Sequence, residues 1–247
     1  MPNSVPTAPP LPSQEVARRA TVSLTLLFGA AALALIGLMQ LQAAVFDGLR
    51  SFVRAEGLWA KAQKDAVLYL TRYTYSRDDS DYAAFLHATA VNLGDRDARL
   101  ALSQTPPDRQ AARRGLLEGQ NHPDDIETMI WFFLTFQHLE PMQRATDIWI
   151  RADEKIAALL TLGEEIRQAV RLGAPPSVLG PQLQRIDTLN QEMLLLENNF
   201  SLVLGETARG VRRLMWAASV GLLVVSLLGV AWLSRKVTRA LTASAGP

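Results

Sequence analysis

The sequence predicts an all-α chain in which two transmembrane helices flank an extracytoplasmic helical bundle. Three observations predict it. Two stretches of about twenty residues carry no charge: Ala20–Met39 within an uncharged run to Ala44, and Leu214–Leu233. At ~1.5 Å per residue, each is long enough to cross a ~30 Å hydrocarbon core. Most of the residues between them repeat apolar positions at alternating spacings of three and four, the period of a packed helix. No strand-like alternation of useful length occurs anywhere.

The elements follow in order. Residues 1–14 hold five prolines and no charge and read, with the rest of 1–19, as a disordered cytoplasmic tail. Residues 20–44 form the first span. The run is longer than a signal-peptide core, and the helical pattern continues past Ala43–Ala44 without a break, so it reads as an uncleaved span. Val45, Leu49, Phe52, Glu56, Trp59, Gln63, Ala66, Leu70 and Tyr73 then form one seam, apolar except at Glu56 and Gln63. Arg77–Asp81 ends this helix and caps a shorter one over about 80–91. Asp79 and Asp81 lack the glycine and late glutamate of a calcium loop. Gly94-Asp95-Arg96 is expected to start a short helix through Leu102, and Pro106-Pro107-Asp108 another to about Glu118. After the turn 119–123, Asp124 and Glu127 have capping-box spacing, and they open a helix apolar nearly all round, expected at the middle of the domain. Pro141 opens a long helix that Gly173-Ala174-Pro175-Pro176 ends. The last helix starts near 177–181, carries Ile186, Leu189, Met193, Leu196, Phe200 and Val203 as its seam, and runs into the second span, 214–233, where Trp216 and Trp232 sit at interfacial positions. Residues 234–247 are a basic stub.

Charge supports the topology. Residues 1–19 sum to +1, 45–213 to −3 with 20 basic and 23 acidic residues, and 234–247 to +3. Positive flanks place both termini in the cytoplasm and 45–213 outside it. The expected location is therefore a bacterial inner membrane, crossed twice, with a periplasmic middle. The balance, +1 overall with no basic stripe, argues against nucleic acid as a partner. The absence of cysteine excludes disulfides, thiolate metal sites and a thiol nucleophile.

No nucleotide loop, nucleophile elbow, zinc-protease helix or dinucleotide glycine pattern occurs, so no catalytic residue and no cofactor is expected. His122 with Asp124 or Asp125 carries ligand types that suit zinc or nickel. But Asn121-His122-Pro123-Asp124-Asp125 has the form of a helix start, with proline and acids at the positive dipole end, and no metal site is assigned. These four polar residues stay as candidates for ligand contact. The second candidate group is Glu56, Trp59, Lys61, Lys64 and Arg72, where cations at helical spacing near Trp59, Tyr69 and Tyr73 can hold an anion. The competing use is structural: internal salt bridges with Asp95, Asp97 or Asp124.

The phrases EGLWAKAQKDAVLYLTRY (56–73), LGDRDARLAL (93–102), GQNHPDDIETMIWFF (119–133) and RATDIWIRADEKIAALLTLG (144–163) resemble the N-terminal sensor region of bacterial two-span membrane receptors of the histidine kinase, diguanylate cyclase and chemoreceptor type. Ser234–Leu241 is similar to the start of a HAMP linker, with Ala240 where that family has proline. The resemblance implies a sensor domain over 45–213 that passes a small-molecule or protein stimulus by helix displacement to a cytoplasmic output, with the chain acting as a parallel homodimer through the 186–203 seam. No kinase, cyclase or phosphodiesterase motif follows, so the output is expected to lie elsewhere. The alternative is a non-sensing membrane scaffold that uses the bundle to bind partners.

Overall fold

The computed structural model describes residues 12–244. All its elements are helical: α1 Pro12–Ser76, α2 Asp79–Leu102, α3 Arg109–Glu118, α4 Pro123–Phe136, α5 Glu140–Arg171, a 3₁₀ turn Pro176–Val178, and α6 Gly180–Ser244. No strand occurs among the described residues. Residues 1–11 of the expected tail and 245–247 of the stub lie outside them. Residues 12–19, expected as tail, instead belong to α1, and proline at the first helical position is compatible with that start.

The chain divides into two compact units. One combines the described parts of 1–43 and 211–247. It holds the apolar stretches of α1 and α6, both long and apolar enough to cross a membrane. Their large side chains stay exposed, as at Leu33 and Leu228. A Cβ on Gly229 would stand 3.4 Å from Leu27, so the two helices touch there. Ser219 and Ser226 donate to the carbonyls of Met215 and Leu222, four residues back. That satisfies a hydroxyl without solvent.

The other unit is Ala44–Gly210. The α1 seam is buried as its period requires, from Val45 and Leu49 through Trp59 to Ala66, Leu70 and Tyr73. It packs with Phe85 of α2, Ile156, Leu159, Leu162 and Ile166 of α5, and Ile186 and Met193 of α6. Of the 186–203 seam, Ile186, Met193 and Val203 are thereby buried inside the chain, while Leu189, Leu196 and Phe200 are half-buried. α4 buries Ile126, Met129, Ile130, Phe132 and Phe133.

Two local expectations need correction. First, α2 runs unbroken from 79 to 102, so Gly94 starts nothing. Gly94 and Gly115 are where α2 and α3 cross. A Cβ on Gly94 would stand 2.7 Å from the Gly115 carbonyl oxygen, and a Cβ on Gly115 2.5 Å from that of Gly94. The glycine marks close backbone approach rather than a helix end. Second, the cap of α4 is His122, whose Nδ1 accepts from the Asp124 backbone N–H at 3.2 Å. Asp124 lies inside the first turn, so the Asp124–Glu127 capping box does not form, and Glu127 instead takes Arg109 and Arg113 of α3.

The crossing fixes an expected outcome. Gly94→Ala should lower stability by about 1–3 kcal/mol, since backbone atoms must shift. Gly57→Ala, with nothing within 4 Å of the added carbon, should raise it by about 0.5–1 kcal/mol. Chemical unfolding of the full chain in detergent micelles, followed by circular dichroism, checks both; equal effects at the two sites would remove the crossing as the reason for Gly94.

Candidate functional site

The polar interruptions of the α1 seam meet partners on α6. Glu56 accepts from the Ser201 hydroxyl. Gln63 donates to Asn190 at 3.0 Å. Lys64 stands 3.5 Å from Glu197. The partner on α6 falls from 201 at Glu56 to 190 and 197 at Gln63 and Lys64, so the contacts are rungs between antiparallel helices.

Beside these rungs lies a small cavity of about 50 Å³. Its wall is almost wholly apolar. α1 supplies it with residues at 52, 55, 56 and 59, α5 at 148, 149 and 152, and α6 at 196, 197 and 200, each set at helical spacing, with Asp95 of α2 and Met129 of α4 between them. Its distinctive members are the aromatics Phe52, Trp59, Trp149 and Phe200 and the carboxylates of Glu56, Asp95 and Glu197. Both indole N–H groups and Glu197 Oε1 are shielded from solvent and find no partner among the described residues.

The carboxylates are tuned by burial. Asp95 is enclosed, and loss of water pushes its carboxyl well above the usual range; Asp153 adds repulsion, against the N–H of Asn121 at 2.8 Å. Burial also raises Asp153, to about 6, although Arg99 pairs with it at 2.6 Å. The Arg99 guanidinium lies 5.8 Å from the Trp149 ring centroid. Glu197 is raised by burial and by the charge of Glu56, against the pull of Lys64.

The sequence candidates separate on this geometry. Glu56 and Trp59 line the cavity, and Lys64 reaches its edge through Glu197. Asn121 is buried and joins it through Asp95, while also donating to the Leu116 carbonyl. The other five lie elsewhere. Lys61 borders a separate groove with Asp65, Tyr69 and His87. Arg72 pairs with Asp81 at 3.1 Å. His122 caps α4, Asp124 is exposed, and Asp125 stands 3.7 Å from Arg54. The anticipated bridges to Asp95, Asp97 or Asp124 are not the ones formed by Lys61, Lys64 or Arg72, because α6 and the start of α2 offer nearer acids to Lys64 and Arg72. No group of three or more histidines and carboxylates able to hold a metal occurs among the described residues. Phe52 and Phe200 are visible in the sequence only as seam positions. Glu197 carried a usable signal: it follows Met193 by four and precedes Phe200 by three, so a charge faces the core.

Among the described residues the chain is thus all-helical, with two helices long and apolar enough to cross a membrane and a second compact unit over 44–210. Searches against protein-family models, curated proteins and solved structures find no match.

The raised carboxyls set a pH dependence. A carboxyl with a higher pKa folded than unfolded binds protons more tightly in the fold, so its contribution to stability rises as pH falls through the folded value toward the unfolded one. The full chain in micelles should therefore melt higher at about pH 5 than at pH 7. Asp153→Asn should shrink that gain, because the group raised to about 6 is gone. A melting point that falls over this interval, or a gain untouched by Asp153→Asn, speaks against it.

Proposed function

We propose that the chain is the sensory module of a membrane receptor, with 45–213 extracytoplasmic and both termini cytoplasmic, passing a stimulus by small helix displacements to a cytoplasmic output. The observation that carries this reading is that the same two helices do both jobs. α1 and α6 each combine an apolar stretch with a face of the helical unit's core, and both wall the cavity. A ligand that favours one packing of α1 on α6 biases a two-state element. The positive flanks of both stretches support the orientation. A parallel homodimer belongs to the same reading. Its surface is not the 186–203 seam but the exposed Leu195 and Leu202 of α6, seven residues apart and 64% and 60% exposed.

Two experiments test it. In a chimera joined after Leu241 to the linker and kinase of a receptor, output should respond to conditions applied outside the cell. Inserting glycines after Arg213, which uncouples the core face of α6 from its apolar stretch, should abolish the response and leave the helical unit folded. Unaltered output in the insertion variant sinks helix displacement, and the scaffold reading then gains. Second, the chain lacks cysteine, so Leu195→Cys is a single reporter in intact cells. It should react with a membrane-impermeant thiol reagent and form disulfide-linked dimers on oxidation, whereas Ile186→Cys, 2% exposed, should do neither. Labelling only after cell lysis overturns the orientation.

A further inference from the structure

The cavity between α1, α5 and α6 has a chemistry opposite to the one the basic residues of α1 suggest. Lys61 and Arg72 lie elsewhere, and Lys64 stays outside, its side chain 58% exposed. What surrounds the cavity is an aromatic set, Phe52, Trp59, Trp149 and Phe200, backed by carboxylates. The α1–α6 wall holds two acids, Glu56 and Glu197, against one cation, Lys64. Lys64 approaches Glu197 Oε2, while Glu197 Oε1, on a side chain 8% exposed, has no partner among the described residues. Arg99, the other cation at hand, is matched by Asp153. The cavity therefore combines an apolar wall, aromatic rings and one negative charge in excess. An anion is repelled there. A hydrogen-bonding cation such as bare ammonium finds one free acceptor among the described residues, Glu197 Oε1, and loses the rest of its water on so apolar a wall. A cation that carries its charge under methyl groups loses little water and is attracted both by ring quadrupoles and by the excess negative charge of Glu56 and Glu197 over Lys64. The volume of about 50 Å³ is a few times the ~10–15 Å³ that one water requires by the same measure, which limits the ligand to a small one.

We infer that this cavity is a binding site for a small alkylammonium ion of the quaternary or tertiary methylated class, held by the aromatic side chains and by the charge of Glu197. In the receptor reading, on which this rests only for its consequence, the ion is the stimulus, since it would bind between the two helices that enter the apolar unit.

The test uses the full chain in detergent micelles at constant ionic strength, with tetramethylammonium chloride as probe and tert-butanol as a neutral compound of the same size. Saturation transfer from protein to probe methyl groups gives the dissociation constants. Tetramethylammonium should saturate, and tert-butanol should bind at least about tenfold more weakly. Glu197→Gln, which keeps the volume and sheds a buried charge, should weaken tetramethylammonium by at least about tenfold. Lys64→Met should tighten it, because the competing cation is removed; a variant that merely loosens the fold does not bind better. Equal binding of the two probes, absence of saturation by tetramethylammonium, or indifference to both substitutions overturns the site. Failure of the receptor reading looks different: the ion binds as expected, yet the kinase chimera gives the same output with and without it.

Discussion

A carboxylate taken out of water must find a partner, and this requirement ties the helices of the 44–210 unit together. Asp81, Asp95, Asp153 and Glu197 are all 8% exposed or less. Their partners lie on other elements: Arg72 on α1 for Asp81, Asn121 before α4 for Asp95, Arg99 on α2 for Asp153, and Lys64 on α1 for Glu197. Each pair joins two segments distant in sequence or separated by a turn. Apolar seams alone tolerate a slip of one turn at modest loss, because most positions along them are interchangeable aliphatics. A buried acid does not, since removing its partner costs about 3–5 kcal/mol. Registry is therefore set by these pairs, and the aliphatic seams supply the bulk of the stabilisation.

The close crossing of α2 and α3 belongs to the same constraint. Two glycines let the backbones meet at Gly94 and Gly115. That contact carries Asp95, the next residue on α2, into the space beside Gly119, where the carboxylate oxygen stands in the place a Cβ would need. Asn121 then reaches both Asp95 and the Leu116 carbonyl, tying the end of α3 to α2. Enclosure on this scale pushes the Asp95 carboxyl well above the usual carboxylate range.

Helix identity, the long seams of α1 and α6 and the two apolar stretches were legible because period and length are properties of single segments. The seam of α1 was readable residue by residue from Val45 to Tyr73, and the need of Glu56 and Gln63 for partners followed from burial alone. What was not legible required knowing which segments meet. Gly94 looks like a helix start because helix crossings leave no periodic trace. His122 looks like a ligand, and His122 with Asp124 like a metal pair, until the backbone N–H that its ring accepts is seen. The α6 seam looks like an interface because nothing in one segment tells whether its partner is the same chain or another. The basic residues of α1 suggested an anion, yet the acids beside the cavity come from three helices: Glu56 on α1 itself, Asp95 on α2, and Glu197 on α6, more than a hundred residues away.

Placing the cavity against α1 and α6 has a mechanical consequence. The cross-helix polar contacts of these two helices, Glu56 with Ser201, Gln63 with Asn190 and Lys64 with Glu197, are few and unequal. Gln63 and Asn190 form a neutral amide pair with fixed geometry. Lys64 and Glu197 are held at 3.5 Å with the lysine largely exposed, so the ammonium returns to water at little cost when another cation takes its place beside the buried carboxylate. A cation in the cavity competes for the same carboxylate, so the first contact to yield is the Lys64 rung, and the Gln63–Asn190 rung becomes the fulcrum. The neutral rung is part-buried and specific, which favours pivoting over sliding. On the receptor reading, the displacement passed toward the apolar stretches is thus a tilt of α6 on α1, driven from the rung nearest the bound charge.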